Sequence, residues 1–461
     1  MKYISTRGEA EPVDFAAAAL RGLAPDGGLY VPKQWPVIDR PAPGESYAGL
    51  AARVLAAFAG DSVAPEALAR VACHAYGSFA HHSVAPLVQT GPSRFVMELH
   101  HGPTLAFKDV AMQAIGGLYD HLLSTHGETL TVMCATSGDT GGAAAAAFAG
   151  LQNVRLVILH PHERISSVQR LFMTTTGAEN VLNIAVDGDF DDTQAMVKAL
   201  FADRAFADEV SLSGVNSINW TRIAAQSVYY ATAQQALGAS TPIRFVVPTG
   251  NFGDALAGYV AARCGLLAGL DILAAVNANA TLADTFDTHR LSRDTALATL
   301  SPAMDIAVPS NLERLLFEVS GRDADAVRAI YASLSQSGEA VLPERVAGPL
   351  GCAGISAVSV NDADTADEMR RTLEETGWLV CPHTAVGLSA ARRLPPSQDA
   401  VDVVLATAHA AKFPGTVKDV TGRDAPLPER CAALVERGET FERMGNDLAA
   451  VRERVRRFAA H

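Results

Sequence analysis

The stretch TVMCATSGDTGGAAAAAFAGL, residues 131–151, runs from an apolar, β-rich segment through a glycine-rich turn into residues suited to a helix. RFVVPTGNFGDALAGYVAARCGL, residues 244–266, repeats the pattern. A strand that ends in a tight glycine turn and passes straight into a helix is the repeating unit of a parallel sheet. From about residue 129 onward the same rhythm recurs in LTVMCA, VRLVILH, VLNIAVDG, IRFVVP, ILAAVNA, WLVCP and VDVVLATA, each read as a strand between helical stretches. The spacing predicts an α/β fold with parallel strands covered by helices on both faces. Residues 1–92 are rich in Pro and Ala and read as a separate, mainly helical N-terminal module. A smaller α/β domain is predicted over 93–240 and a larger one over 241–461, with polar helices interrupting the strand rhythm as an insertion at about 283–347.

In open α/β sheets ligands collect at the carboxyl ends of strands, where glycine-rich loops present backbone N–H groups and a helix N-terminus to an anion. The two loops therefore suggest two bound anions, although either alone reads equally well as a tight turn that needs glycine. GNFGDALAG lacks the Lys-Ser/Thr of a P-loop, and neither loop is Gly-x-Gly-x-x-Gly, which weakens both ATP and NAD as ligands. A phosphate without a nucleotide remains.

The chain has 461 residues, 49% apolar and 19% charged, with a net charge of −13. That composition is globular and argues against a nucleic-acid binder or a partner for anionic membranes, so any anionic ligand is bound locally. No segment approaches the roughly 20 apolar residues of a spanning helix, and the opening MKYISTRGEAEPVDF has no apolar core of signal-peptide length. A cytoplasmic protein, monomer or homodimer, is expected. The six cysteines form no Cys-x-x-Cys pair and no His-Glu-x-x-His occurs, so neither a disulfide scaffold nor a metal site is expected.

In HGPTLAFKDVAMQAIGGLYDHLL, residues 101–123, apolar residues near a 3.6-residue period predict a helix starting at Phe107 or Lys108. A lysine there meets the positive pole of the helix dipole, which lowers its pKa and makes its amine a better nucleophile. Taken alone, such a lysine is ordinarily solvated. Asn219 and Arg222 open another helix, where Asn219 suits an N-cap and Arg222 reads singly as a solvated residue. Beyond the strand in VDVVLATAHAAKF lie Thr407, His409 and Lys412. An amine, a phosphate loop and a hydroxyl at a buried strand end are together the parts that hold pyridoxal phosphate.

MKYISTRG, GPTLAFKD, ATSGDTGGAA, SINWTRI, PTGNFGDALAGY, MDIAVPSNLERLLFE, PHTAVG and ATAHAAKFP occur in this order across nearly the whole chain. On these motifs the sequence resembles the threonine synthase family, the group with an extended N-terminal region. It departs from the family pattern at Ala410, where proline is usual, and at Cys381, where an acidic residue is usual. The resemblance implies a fold-type-II pyridoxal-phosphate enzyme, similar to the tryptophan synthase β chain, with two open parallel-type sheets flanked by helices. It further implies that Lys108 binds pyridoxal 5′-phosphate covalently and then shuttles protons, that Gly250, Asn251, Phe252, Gly253 and Asp254 cradle the cofactor phosphate, and that Thr407 faces the ring nitrogen. Ser137, Gly138, Asp139 and Thr140 would take the substrate carboxylate, with Asn219, Arg222 and Lys412 as further substrate contacts. The implied reaction joins O-phospho-L-homoserine and water to give L-threonine and phosphate. Another lyase or dehydratase of the same fold, or a catalytically silent binding protein, is the alternative.

Overall fold

The computed structural model describes residues 1–395 and 400–460. Two sheets dominate. The larger has six strands in the order Ile355–Ser359, Ile272–Val276, Ile243–Pro248, Val401–Ala406, Arg94–Glu98 and Leu87–Gly91, parallel except for the last, which pairs antiparallel with its neighbour. The smaller has five parallel strands, Glu442–Gly445, Val181–Asp187, Val154–Pro161, Leu130–Ala135 and Leu212–Gly214. The central strands VRLVILHP and IRFVVP are buried nearly throughout, as expected of strands covered on both faces.

The strands are not shared out by the contiguous segments predicted from the sequence. Arg94–Glu98, expected in the smaller domain, pairs with Val401–Ala406 in the larger sheet, and Glu442–Gly445 returns at the chain's end to pair with Val181–Asp187 in the smaller one. The half-polar composition of RFVME and ERMG concealed both as strands. WLVCP is not a strand: Val380 makes a single bridge to His409, and Pro382, which has no N–H to give a ladder, instead occupies the first turn of the helix Pro382–Arg393. Residues 1–92 hold helices Phe15–Arg21, Tyr47–Ala59 and Pro65–Gly77, but also a three-stranded antiparallel sheet of Lys2–Ser5, Val13–Asp14 and Tyr30–Pro32. Their core continues into the rest of the molecule, with Tyr3, Trp35 and Phe58 packed around the buried Trp220. Between Ile272–Val276 and Ile355–Ser359 the chain adds helices and the hairpin of Arg290–Ser292 and Glu339–Val341.

The helix Lys108–His126 follows the larger sheet's strand Arg94–Glu98 and leads into the smaller sheet, so its first residue lies between the two. It packs against the helix Asp139–Phe148, whose alanine run permits a close approach. A Cβ added at Gly116 would stand 2.5 Å from the Ala147 carbonyl oxygen. Among the described residues no helix is long and apolar enough to cross a membrane.

Candidate active site

Lys108 is the first residue of its helix, as its sequence position predicts. The loop before it is tied on both sides. The Thr104 N–H and hydroxyl donate to the buried Asp109 carboxylate at 2.8 and 2.6 Å, and Phe107 N–H donates to the Thr407 carbonyl at 2.8 Å. His409 N–H donates to the Leu105 carbonyl, and Ala106 bridges Ala408. Thr407, buried at the end of Val401–Ala406, is thereby fixed beside the lysine loop.

The Lys108 side chain is 13% exposed, and its Nζ donates to Asp139 Oδ2 at 3.3 Å. Burial lowers its pKa; Asp139 opposes that shift, while Arg222 and Lys412 add to it. Asp139 is shared: Oδ1 also meets Lys412 Nζ at 2.9 Å and accepts from Gln169 Nε2 at 3.0 Å. Burial alone would raise the Asp139 pKa, but the two ammonium groups and Gln169 hold it well below the usual carboxylate range. The carboxylate thus turns toward cations, and the N–H groups of Ser137, Asp139 and Thr140 at the start of Asp139–Phe148 have no acceptor among the described residues. Gly138 N–H is occupied by the Thr136 hydroxyl at 2.9 Å.

The second loop begins where Ile243–Pro248 ends. The N–H groups of Gly250, Asn251, Phe252 and Gly253 donate to no acceptor among the described residues, and Gly253 opens the helix Gly253–Arg263. Phe252 holds φ at 62°, a left-handed conformation uncommon outside glycine that turns successive amides to one side. Asp254 is folded back, its Oδ1 accepting from the Thr249 hydroxyl and from Ala255 N–H, and burial raises its pKa. Backbone amides, not the acid, are what this loop offers. Asn311 braces it from behind, donating from N–H and Nδ2 to the Asn251 carbonyl at 3.1 Å each.

Arg222 is not solvated, contrary to the expectation for the residue read singly. It is 3% exposed, donates from Nη1 to the Val215 carbonyl at 3.1 Å, and its Nε has no partner among the described residues. Burial draws its pKa down to about 10 against the opposing pull of Asp254. The buried guanidinium with its unpartnered Nε fits one anion, and the neighbouring cradle of N–H groups without an acceptor among the described residues fits another, the phosphate of pyridoxal phosphate. Lys108 nearby fits its aldehyde. Asn219 caps the helix Trp220–Leu237 and spends both amide protons inside the protein, on the Ala19 carbonyl and the Tyr119 hydroxyl, so it serves the helix start. Lys412 is fully buried, donating to the Thr104 carbonyl at 2.7 Å besides meeting Asp139.

Sequence reasoning missed Gln169 and His383. Gln169 follows Ser166 in a capping box, a pattern readable in SSVQ, but its contact with Asp139 depends on the fold. His383 lies inside the quoted PHTAVG motif.

The family model described as "Threonine synthase N terminus" matches residues 2–76, "Pyridoxal-phosphate dependent enzyme" matches 86–342, and "Threonine synthase, C-terminal" matches 384–455. The chain is 44% identical to the threonine synthase of Pseudomonas aeruginosa, over 98% of this chain and 97% of that one. The crystal structure of pyridoxal-phosphate-bound threonine synthase from Brucella melitensis superposes with a TM-score of 0.95 at 45% identity, covering all of both chains. The yeast threonine synthase structure gives 0.92 at 32% identity, over 100% of this chain and 99% of that one. With an amine, two amide cradles and a strand-end hydroxyl gathered between its sheets, the chain belongs to the threonine synthase family of pyridoxal-phosphate-dependent enzymes.

Proposed function

We propose that the protein converts O-phospho-L-homoserine and water to L-threonine and phosphate, a carbon–oxygen lyase reaction on a phosphate ester. The observation that carries the reading is the Lys108 amine, buried, pKa-lowered and placed between two glycine loops in which the N–H groups of Ser137, Asp139, Thr140 and Gly250 to Gly253 have no acceptor among the described residues. When bound, pyridoxal phosphate supplies the electron sink that lets a proton leave Cα. The loop Gly250–Asp254 holds the phosphate of that cofactor, Arg222 takes the phosphate of the substrate, and Thr407 offers the ring nitrogen a neutral hydroxyl. The loop Ser137–Thr140 orients the substrate carboxylate by its amides. Lys108, a free base once the substrate amine has displaced it, takes the Cα proton, and proton transfer at Cβ then allows the γ-phosphate to leave. A proton delivered to Cγ makes the methyl group, water adds its hydroxyl at Cβ while its proton goes to the released phosphate, and the proton that Lys108 returns to Cα completes threonine. Asp139 and Lys412 keep the surrounding charge fixed while the amine changes its protonation.

The test is to incubate the purified holoprotein with O-phospho-L-homoserine and follow phosphate, threonine and 2-keto acids together. Equimolar phosphate and threonine support the reading. A 2-keto acid formed from serine or threonine, with no phosphate released from phosphohomoserine, replaces it with a dehydratase. Failure on all substrates with cofactor bound favours a silent binding protein.

A further inference from the structure

His383 is the second residue of the helix Pro382–Arg393 and is 4% exposed. Its Nε2 accepts the Ala303 N–H at 3.1 Å. A nitrogen that accepts carries no proton, so a neutral ring here is protonated at Nδ1. Burial holds its pKa down to about 4, with Asp139 opposing and Lys108 and Lys412 adding to the shift, so the ring is neutral near pH 7. Phe413 lies against it, ring centroids 4.7 Å apart. The result is a buried donor with its tautomer fixed and with no acceptor for Nδ1–H among the described residues. A buried donor left unsatisfied is costly, so such groups generally find partners.

The surroundings narrow the partner. The charges that act on the ring are Asp139, Lys108 and Lys412, the groups around the loop Ser137–Thr140. The contacts of His383 place the ring between the two loops: the carbonyl oxygen of Ala303, whose N–H the ring accepts, lies 3.0 Å from where a Cβ on Gly250 would stand, and Phe413 follows Lys412, whose ammonium meets Asp139. The two nitrogens of an imidazole point to nearly opposite edges of the ring, so Nδ1–H is directed away from Ala303 and the Gly250 loop. A neutral donor suits a space that already holds several cations, because it binds an anionic oxygen without adding charge that would depress the Lys108 amine further.

We infer that His383 is a substrate-binding residue whose Nδ1–H donates to an anionic oxygen of the substrate, on its carboxylate or its phosphoryl group. The inference rests on the reading above that the substrate is an O-phosphorylated amino acid.

Two variants separate this role from a structural one. His383→Gln can keep an acceptor for Ala303 N–H but has no donor at the Nδ1 position, whereas His383→Asn keeps a donor near Nδ1 and loses the acceptor. Holoproteins are titrated calorimetrically with inorganic phosphate and, separately, with L-norvaline, which has the amino-acid end without a phosphoryl group. His383→Gln is expected to weaken one probe by about tenfold or more, the range of a hydrogen bond to a charged group, and His383→Asn to restore most of it. Loss confined to phosphate assigns the phosphoryl oxygen, and loss confined to norvaline assigns the carboxylate. The inference is overturned if His383→Gln binds both probes as wild type does, if Asn fails to restore what Gln loses, if the ligand-free cofactor spectrum shifts in Gln, or if wild type binds neither probe. These titrations need no turnover, so a wild type that binds the probes but makes no threonine contradicts the functional reading alone.

Discussion

Replacing Asp139 by Asn keeps the shape of the side chain and removes the one carboxylate that Lys108 and Lys412 share, at 3.3 and 2.9 Å. Removing one partner from a buried ion pair costs about 3 to 5 kcal/mol, because the remaining charge is left uncompensated. Unfolding entropy of about 2.1 cal/mol/K per residue over 461 residues comes to about 1 kcal/mol/K, so the apoprotein Tm is expected to fall by about 3 to 5 °C. The sign with pH follows from the depressed Asp139 pKa. The stability it contributes is fully present above the ordinary value of 3.8 and is lost as pH falls through the lower folded value, so the gap between wild type and variant is the same at pH 7 and pH 5.5 and narrows only below about 4. Asp139 is also the first influence holding the Lys108 pKa up, so its loss lowers that pKa further and moves cofactor uptake by the apoprotein to lower pH. The assays are thermal unfolding of apoprotein across pH and the pH profile of the absorbance that appears on adding pyridoxal phosphate. An unchanged Tm at pH 7 together with an unchanged uptake profile would refute the shared-counterion argument.

Arg222→Ala is expected to lower kcat/KM for O-phosphohomoserine by one to two decades, from about 1.5 to 3 kcal/mol for a lost charge-assisted contact, while the bound cofactor's spectrum stays normal; steady-state kinetics with an absorbance scan checks both. Gly250→Ala places a Cβ 3.0 Å from the Ala303 carbonyl oxygen and the Met304 Cα, backbone atoms that cannot swing aside. Overpacking of about 1 to 3 kcal/mol is expected to weaken cofactor binding about tenfold or more, read by equilibrium titration of the apoprotein. Thr407→Asp is expected to favour protonation of the cofactor ring and to divert product from threonine toward a 2-keto acid, measured as a product ratio; an unchanged ratio and spectrum would remove Thr407 as the ring's partner.

The parts of the site that the sequence made legible are those where a local rule coincides with the fold. Lys108 opens its helix because apolar spacing and a Pro-containing turn mark the start, and the two glycine loops follow strands that are mostly apolar, with a single polar residue each, Thr131 and Arg244. Arg222 could not be read correctly from its neighbours, since its burial comes from packing between elements distant in sequence. The same holds for His383, whose tautomer depends on an amide 80 positions away. The strands Arg94–Glu98 and Glu442–Gly445 carry charged residues and lie at or near sheet edges, so periodicity did not separate them from loops, and with them went the crossing of the chain between the two sheets. WLVCP failed in the opposite direction, an apolar run that ends in a helix-starting proline.

The most direct test of the account sets wild type beside Lys108→Ala, both with pyridoxal phosphate present, and counts phosphate and threonine released from O-phospho-L-homoserine in the same samples. Equal amounts of the two products are expected from wild type and neither from the variant, which can still retain cofactor at the Gly250–Asp254 loop without a covalent link. Threonine formed by Lys108→Ala at the wild-type rate, or phosphate from wild type without threonine, would contradict it.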